Sequence, residues 1–352
     1  MARWRWRCAR IGPAALATVL VVGCFEPFLG PEPGSDPGAL FDLYWSQIDA
    51  YYSYFAFKPE LDWDSVRAEY QPRVVPGMDD RELADVLGAM ITELRDGHAD
   101  LVTPFGEYGF DPFAGQPSGR DPGVTRAYLT DRASFAGGVY EVGRLTERIG
   151  YVHISTMSQN GSGPVMDDVL SHLAGVEAIV VDVRDNLGGT DLVSEPMAAR
   201  FYDARRAYRR VQYRDGPEHD DFTEPRTDYL EPAGRDPFTG PVALLTNVRT
   251  YSAAEGFVTA LRVLPHALTV GDTTGGGAGN PIWRELPNGW AYRVPRWVVF
   301  TADGLQYEGV GLPPDVPVGD AEAGWALGTD AILERAVAEL QPCLNGDAAC
   351  RL

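Results

Sequence analysis

Residues 242–255 read VALLTNVRTYSAAE, an uninterrupted apolar run followed by a short turn and a helix-forming stretch. This pattern predicts a buried strand, a tight corner and an α-helix that begins at Ser252. A serine in this position has two interpretations. It can cap the helix, because Glu255 three residues later completes the capping-box pattern. It can also be a nucleophile, because a hydroxyl at such a corner is exposed and close to a helix N-terminus that favours negative charge.

Strand and helix patterns alternate on both sides of this corner, which predicts an α/β core over residues 148–320. The predicted elements are a strand at 149–154, a helix at 165–173, a strand at 178–183, a helix at 192–202, a strand at 267–271 and one hairpin arm at 290–301. The strand at 178–183 is apolar except for Asp182, as in a sheet that is buried on both faces.

The segments outside this core differ in pattern. Apolar residues recur at helical spacing from residue 40 to 97, so we expect an N-terminal helical domain over residues 40–100. Residues 101–147 have weak periodicity and are expected to form a connecting segment. Residues 205–239 are charged and rich in proline, which predicts a long surface loop or lid. Residues 321–352 are expected to form a C-terminal helix and a disulfide-closed tail.

The N-terminus has the pattern of an export signal. Four arginines precede the apolar stretch 11–23, which is too short to span a bilayer comfortably. Residues 20–24 read LVVGC and resemble a bacterial lipobox, with Cys24 as the lipidated residue. An uncleaved anchor and a plain signal peptide are the alternatives. We predict a lipoprotein signal peptide at 1–23, a flexible tether at 24–39, and an exported protein of the bacterial cell envelope that contacts the membrane only through its lipid.

Charge and cysteine content narrow the class of protein. The 352 residues have a formal net charge of −20, and removing the four N-terminal arginines leaves −24. An acidic body argues against binding to nucleic acid or to an anionic membrane surface. Cys343 and Cys350 are expected to form a disulfide in an oxidising compartment. The five histidines lack paired spacing, so we expect no metal and no cofactor.

Three further segments carry chemistry that a serine nucleophile could use. Gly188 and Gly189 follow a predicted strand, and a tight glycine turn exposes backbone N–H groups that can form half of an oxyanion hole. His98 follows the helical segment, and histidine is the usual base for serine. Residues 307–315 form a polar loop that by itself indicates only a turn.

Together these segments resemble the carboxy-terminal processing (tail-specific) peptidases, a family that also includes the tricorn core protease and the interphotoreceptor retinoid-binding proteins. The matching elements are Asp96-Gly97-His98, Gly150-Tyr151-Val152, Asp182-x-Arg184-x-Asn186-x-Gly188-Gly189, Thr250-x-Ser252-x-x-Glu255, Gly271-x-x-Thr274-x-Gly276, Leu286-Pro287-Asn288-Gly289 and Glu308-Gly309-x-Gly311-x-x-Pro314-Asp315. The resemblance implies a ClpP/crotonase-like α/β core behind a helical N-terminal domain, and a serine peptidase that acts on peptides or unfolded proteins.

The resemblance also implies catalytic roles. One branch of the family uses a lysine about 25 residues after the serine, but residues 273–280 contain none, and the only lysine, Lys58, lies in the N-terminal segment. The tricorn-like branch uses a histidine and a late glutamate, and His98 and Glu308 occupy those positions. The implied nucleophile is therefore Ser252, with His98 as base and Glu308 stabilising the imidazolium. The N–H groups of Ala253 and of Gly188 or Gly189 would hold the oxyanion.

Two departures from the pattern bear on these roles. The tricorn-like branch has a serine directly before the histidine, whereas this chain has Gly97, which leaves Asp96 and Glu255 as rival partners for His98. The 48 residues between Asp100 and Ile149 are too few for a separate PDZ domain. Two other functions remain open: an inactive relative that binds an apolar small molecule or peptide, and a structural scaffold of the envelope.

Overall fold

The computed structural model describes residues 36–158, 161–319, 321–347, 350 and 352, so the predicted signal peptide, Cys24 and most of the tether lie outside the described residues. The helices are α1 (Pro37–Tyr51), α2 (Trp63–Tyr70), α3 (Asp80–Thr92), α4 (Pro122–Ala127), α5 (Gly163–His172), α6 (Asp191–Ala198), α7 (Ala253–Arg262) and α8 (Ala331–Leu344). Short 3₁₀ turns lie at Phe55–Phe57, Gln71–Arg73, Ala136–Gly138, Ala199–Phe201 and Ala321–Leu327.

The strands are β1 (Asp100–Thr103), β2 (Gly106–Gly109), β3 (Thr130–Phe135), β4 (Tyr140–Arg144), β5 (Ile149–Ile154), β6 (Ala178–Asp182), β7 (Arg206–Tyr213), β8 (Arg226–Leu230), β9 (Val242–Thr246), β10 (Ala267–Gly271), β11 (Pro281–Glu285), β12 (Ala291–Pro295), β13 (Trp297–Thr301) and β14 (Val316–Pro317). Within the part of the chain that the structure describes, no helix is both long and apolar enough to cross a bilayer.

The central sheet has the strand order β14-β10-β9-β6-β5-β4-β3. The neighbours from β5 to β14 pair in parallel, whereas β4 pairs antiparallel with both β5 and β3. Every residue of β6 and β9 is buried, because α7 packs among the apolar side chains on one face of the sheet and α8 packs on the other. The predicted α/β fold is confirmed, and burial on both faces explains why these strands have no polar alternation.

The N-terminal helices share a sheet with a distant part of the chain. Strands β1 and β2 join β11 and β12 in a four-stranded sheet of order β11-β12-β1-β2. Tyr44 of α1 packs edge-on against Tyr292 of β12, with ring centroids 5.0 Å apart. Residues 290–301 therefore contribute to two sheets rather than to one hairpin arm, since β12 pairs with β1 and β11 whereas β13 pairs with β7.

Two segments contain more regular structure than the sequence pattern indicated. Within 205–239, expected to be a loop, β7 and β8 pair and join β13 in a three-stranded sheet. The sequence pattern did not indicate β7 as a strand because it contains several arginines. The side chain of Arg209 can nevertheless be buried there, since Asp191, Glu195 and Asp228 compensate its charge.

The expected connecting segment 101–147 also enters two sheets, through β1–β2 and through β3–β4. Its edge strand β3 is largely exposed and therefore lacks an apolar signature. In this described stretch no separate domain intervenes.

The C-terminal end of the described chain is closed by a short loop. Helix α8 runs to Leu344, and the sulfur atoms of Cys343 and Cys350 are 2.08 Å apart, at bonding distance. The helix packs by Ile332, Leu333 and Leu340 against the face of the central sheet opposite to α7.

Candidate active site

Ser252 lies at the corner between β9 and α7 in an unusual backbone conformation, with φ 57° and ψ −126°. Residues other than glycine adopt such angles only when the surrounding structure imposes them, at a cost of about 1–3 kcal/mol. Three hydrogen bonds fix this corner. The N–H of Ser252 donates to Glu255 Oε2 at 3.1 Å, the N–H of Tyr251 donates to the carbonyl of Asn186 at 3.0 Å, and Thr250 Oγ1 donates to the carbonyl of Val183 at 2.9 Å.

His98 lies on the turn after α3 and reaches Ser252 across 154 positions of sequence. Its Nε2 is 2.9 Å from Ser252 Oγ, which is hydrogen-bond distance. The backbone N–H of His98 donates to Asp96 Oδ1 at 2.8 Å, so Asp96 holds the peptide unit rather than the imidazole. The structure thus brings together the serine and the histidine that the sequence pattern had singled out in different segments.

The environment of His98 favours a neutral imidazole. Burial lowers its pKa to about 4, the negative charge of Asp96 opposes this shift, and Arg293 adds to it. A neutral imidazole can accept a proton at physiological pH. Its Nδ1 is buried and has no hydrogen-bond partner within the described residues. This atom faces Gly279, where an added Cβ would lie 3.4 Å from Nδ1.

Glu308 is buried on the Nδ1 side of His98. Its Oε2 accepts the N–H groups of Ala278 at 2.7 Å and of Gly279 at 3.2 Å. Burial raises its pKa well above the usual value, the charge of Asp96 raises it further, and Lys58 opposes the shift. No direct hydrogen bond joins Glu308 to His98 in the described part of the chain, so Glu308 contacts the backbone segment that faces Nδ1 rather than Nδ1 itself.

Lys58 lies behind this cluster although it belongs to the N-terminal segment. Its Nζ donates to the carbonyl of Leu94 at 2.7 Å and lies 3.8 Å from Asp96 Oδ2. Asp96 Oδ2 also accepts the hydroxyl of Tyr52 at 2.8 Å. The ammonium group is therefore engaged with the turn that carries His98.

Glu255 is committed to the corner itself. Its two carboxylate oxygens accept four donors, namely the N–H groups of Ser252, Gly276 and Gly277 and the hydroxyl of Thr274. Burial raises its pKa to about 7, and these hydrogen bonds act in the opposite direction. Glu255 thus forms half of the predicted capping box and does not contact the imidazole.

The glycine turn lies directly against the serine. At Gly188, where φ is 94°, an added Cβ would lie 2.7 Å from Ser252 Cβ and 2.8 Å from the nitrogen of Ala253. The N–H of Gly188 already donates to Asn186 Oδ1 at 2.9 Å. The N–H groups of Gly189 and Ala253 have no partner among the described residues, and both residues border the same cavity as Ser252. Of the two predicted glycines, Gly189 therefore has the free donor.

A cavity of about 460 Å³ opens beside Ser252. Trp297 and Val299 contribute apolar surface to its wall, and the charged side chains of Arg209, Asp191 and Glu195 also line it. Arg209 was not foreseen, because its partners come from separate elements of the chain.

Other residues of the matching motifs are structural. The guanidinium of Arg184 is fully buried between Asp182 and Asp330, with hydrogen bonds of 2.7 to 3.0 Å. Asn186 shapes the glycine turn through the bond to Gly188. The pattern did not single out Tyr251, which stacks on His98, although its position directly before Ser252 was the available signal.

A candidate metal centre is not formed by the side chains that the structure describes, since no group of three or more histidine, cysteine or acidic residues has suitable geometry. The hydrogen-bonded pair of Ser252 and His98, the free N–H groups beside it and the adjoining cavity are suited to nucleophilic attack on a carbonyl group.

Comparisons with known proteins agree with this geometry. Residues 148–318 match the sequence model of peptidase family S41, and residues 36–92 match that of the tricorn protease C1 domain. The crystal structure of a candidate peptidase from Parabacteroides merdae is similar, with 35% identity, a TM-score of 0.79, and coverage of 88% of this chain and 98% of that one.

Two curated relatives are similar over shorter stretches. A probable CtpA-like serine protease of Staphylococcus aureus strain N315 is 27% identical over 172 residues, which are 49% of this chain and 33% of that protein. Tricorn protease homolog 1 of Streptomyces coelicolor is 29% identical over 220 residues, which are 60% of this chain and 18% of that protein. The match thus spans a third or less of each relative. On the family matches and the similarity over nearly the whole Parabacteroides chain, this protein belongs to peptidase family S41.

Proposed function

We propose that this protein is a serine peptidase that hydrolyses peptide bonds of peptides or unfolded exported proteins. The observation that carries the proposal is the distance of 2.9 Å between Ser252 Oγ and His98 Nε2. Membership of family S41 and the similarity to a CtpA-like serine protease support this activity. A cavity beside Ser252 gives a bound peptide access to the hydroxyl.

In the proposed mechanism, Ser252 Oγ attacks the carbonyl carbon of the scissile bond while its proton passes to His98 Nε2. The tetrahedral intermediate collapses when the imidazolium donates that proton to the leaving amine, which breaks the C–N bond and leaves an acyl-enzyme. Water then attacks the acyl group with His98 again as base, and the carboxylic acid product departs. The low pKa of His98 keeps the imidazole neutral before each attack.

The oxyanion would be held by the N–H groups of Gly189 and Ala253. Both are free in the described chain and border the cavity at Ser252, and Ala253 also begins a helix, whose N-terminus favours negative charge. Losing one such donor typically costs about 3 kcal/mol in the barrier. Gly188 has a steric role in this proposal: because it lacks a side chain, the glycine turn can lie close to Ser252.

Glu308 would stabilise the imidazolium indirectly. It lies on the Nδ1 side of His98 and binds the backbone at Gly279, which faces Nδ1. A hydroxyl or a water molecule between Nδ1 and the carboxylate would complete the link. Asp96 has a supporting role, since it holds the backbone of His98.

The deciding experiment uses the protein without residues 1–23 and a set of unstructured fluorogenic peptides. Wild-type protein should cleave some of them, and Ser252→Ala and His98→Ala should each lower kcat by at least about 1000-fold. His172→Ala is the matched control, because that imidazole bonds to the carbonyl of Asp131 away from the site. Activity that survives in Ser252→Ala would contradict the proposal.

A binding protein without catalysis is the alternative class of function, and labelling of Ser252 separates the two. A fluorophosphonate probe should modify Ser252 in wild-type protein, and the reaction should be at least about 100-fold slower in His98→Ala. A binder would show no dependence of labelling on His98.

We further propose that the protein is exported and anchored to the cell envelope by a lipid on Cys24. The arginines and the apolar stretch of the N-terminus support export, and the sequence at 20–24 supports lipidation. Cells that express the full chain should incorporate labelled palmitate into it, whereas Cys24→Ser should abolish the incorporation. Equal labelling of both proteins would contradict the anchor.

A further inference from the structure

The ring of Tyr251 lies flat against the imidazole of His98. The two ring centroids are 5.0 Å apart and the planes differ by 19°. On another side, Phe113 meets the Tyr251 ring edge-on at 5.2 Å. Because Tyr251 directly precedes Ser252 and its N–H is bonded to the carbonyl of Asn186, the same rigid corner holds the serine and this ring.

Three glycines from two distant segments make room for the tyrosine side chain. An added Cβ would lie 2.7 Å from the Tyr251 hydroxyl at Gly97, 2.0 Å from Cζ at Gly277 and 2.8 Å from Cδ2 at Gly275. Any larger residue at 97 or 277 would displace the ring. The glycine directly before His98 and the tyrosine directly before Ser252 are therefore sterically complementary.

His98 needs such support because its imidazole has few hydrogen bonds. Nδ1 has no partner in the described chain, and the bond to Asp96 involves the backbone N–H rather than the ring. Among the residues that the structure describes, the contact of Nε2 with Ser252 and the packing around the ring therefore set its orientation. The stacked ring of Tyr251 is part of that packing.

The tyrosine hydroxyl also has charged neighbours. After burial, the negative charge of Glu308 is the largest influence that raises the pKa of Tyr251, followed by those of Asp96 and Glu255. The hydroxyl therefore remains protonated, and the ring that lies against His98 is uncharged. It stands where a side chain at position 97 would stand, on the turn that carries His98.

We propose that Tyr251 is a positioning residue for His98. Its ring packs against the face of the imidazole and fixes the plane in which Nε2 meets Ser252 Oγ. The expected effect on catalysis rests on the proposed peptidase function. The placement of the Tyr251 ring on the His98 ring does not depend on that function. A structure-directed test and a kinetic test can therefore fail separately.

The first test measures the titration of His98 by NMR with ¹³C-labelled histidine in the Ser252→Ala protein. The signal is assigned by its loss in His98→Asn. The pKa of about 4 reflects burial together with Asp96 and Arg293. Replacing the ring by Tyr251→Leu admits water to the imidazole and should raise this pKa by more than about one unit towards 6.5, whereas Tyr251→Phe should leave it within about half a unit. An unchanged titration in a folded Tyr251→Leu protein would overturn the positioning role.

The second test compares kcat with KM in protein that retains Ser252. Tyr251→Leu should lower kcat about 100-fold with KM changed less than about threefold, because the base is misaligned while the cavity persists, and Tyr251→Phe should restore most of the loss because it restores the ring. Tyr251→Met replaces the leucine variant if that protein does not fold. A kcat within twofold of wild type in a folded Tyr251→Leu protein would overturn the positioning role. Failure of wild-type protein to cleave any peptide would contradict the peptidase function and leave the NMR test to decide the placement.

Discussion

The ammonium group of Lys58 lies 3.8 Å from Asp96, and the other carboxylate oxygen of Asp96 accepts the backbone N–H of His98. The only lysine of the chain thus supports the turn that carries the proposed base. It comes from the segment before α2, and the pairing ties this N-terminal segment to the site. Lys58 is distant from His98 in the sequence, but in the structure it contacts Asp96, which binds the backbone of His98.

Removal of this cation should destabilise the protein. In Lys58→Met the buried carboxylate of Asp96 loses the cation beside it, and the loss of one partner of a buried ion pair typically costs about 3 kcal/mol. The free energy of unfolding in urea measures the effect. Arg73→Met is the control, because Arg73 pairs with Glu69 on an exposed helix face and should change stability by less than about 0.5 kcal/mol. Equal losses in both variants would contradict a supporting role for Lys58.

The pH dependence of kcat/KM should reveal both Glu308 and His98. The pKa of Glu308 is raised, so its charge is lost as the pH falls through a value above the usual 4.5, and stabilisation of the imidazolium is lost with it. His98, with a pKa of about 4, remains neutral until lower pH. We expect the wild-type acid limb to lie above pH 4.5.

Glu308→Gln separates these two groups. It should lower kcat about 100-fold and change the acid limb, which then reflects His98, with its pKa of about 4, and Glu255, with its pKa of about 7. If the acid limb of the pH profile is unchanged in Glu308→Gln, a group other than Glu308 is responsible for it. Stopped assays from pH 3.5 to 8, with a check that the protein remains folded at each pH, provide the measurement.

The approach of the glycine turn to the serine can be tested with a matched pair of substitutions. Gly188→Ala places a Cβ 2.7 Å from Ser252 Cβ, so the corner must shift, and we expect kcat to fall at least about 100-fold. Gly175→Ala is the control, because Gly175 has a similar φ of 89° but nothing within 4 Å of an added Cβ. Urea unfolding should show a loss of about 1 kcal/mol of stability from the positive φ in the control and a larger loss in Gly188→Ala, because the contact with Ser252 adds to it. A comparable fall of kcat in the control would show that strain, rather than contact with Ser252, is responsible.

The sequence predicted the fold class because buried parallel strands have a distinct composition. The runs at 178–183 and 242–246 are apolar except for Asp182 and Thr246, and the structure places them in adjacent central strands. The charged segment at 205–239 was misread for the converse reason, since the arginines of β7 are partnered by acidic residues from other elements. Local sequence patterns indicate which strands are buried, but they do not indicate ion pairs between residues that are distant in the sequence.

By itself the sequence determined the α/β core, the family and the identity of the candidate residues, because these depend on local periodicity and on ordered short motifs. Only the tertiary structure determined which of these residues are in contact. It brought His98 to 2.9 Å from Ser252, directed the N–H of Gly188 to Asn186 rather than to the cavity, and stacked Tyr251 on His98. These contacts join segments far apart in the chain, and their distances follow from how α3, β6 and α7 pack around the sheets, which no spacing within the sequence specifies.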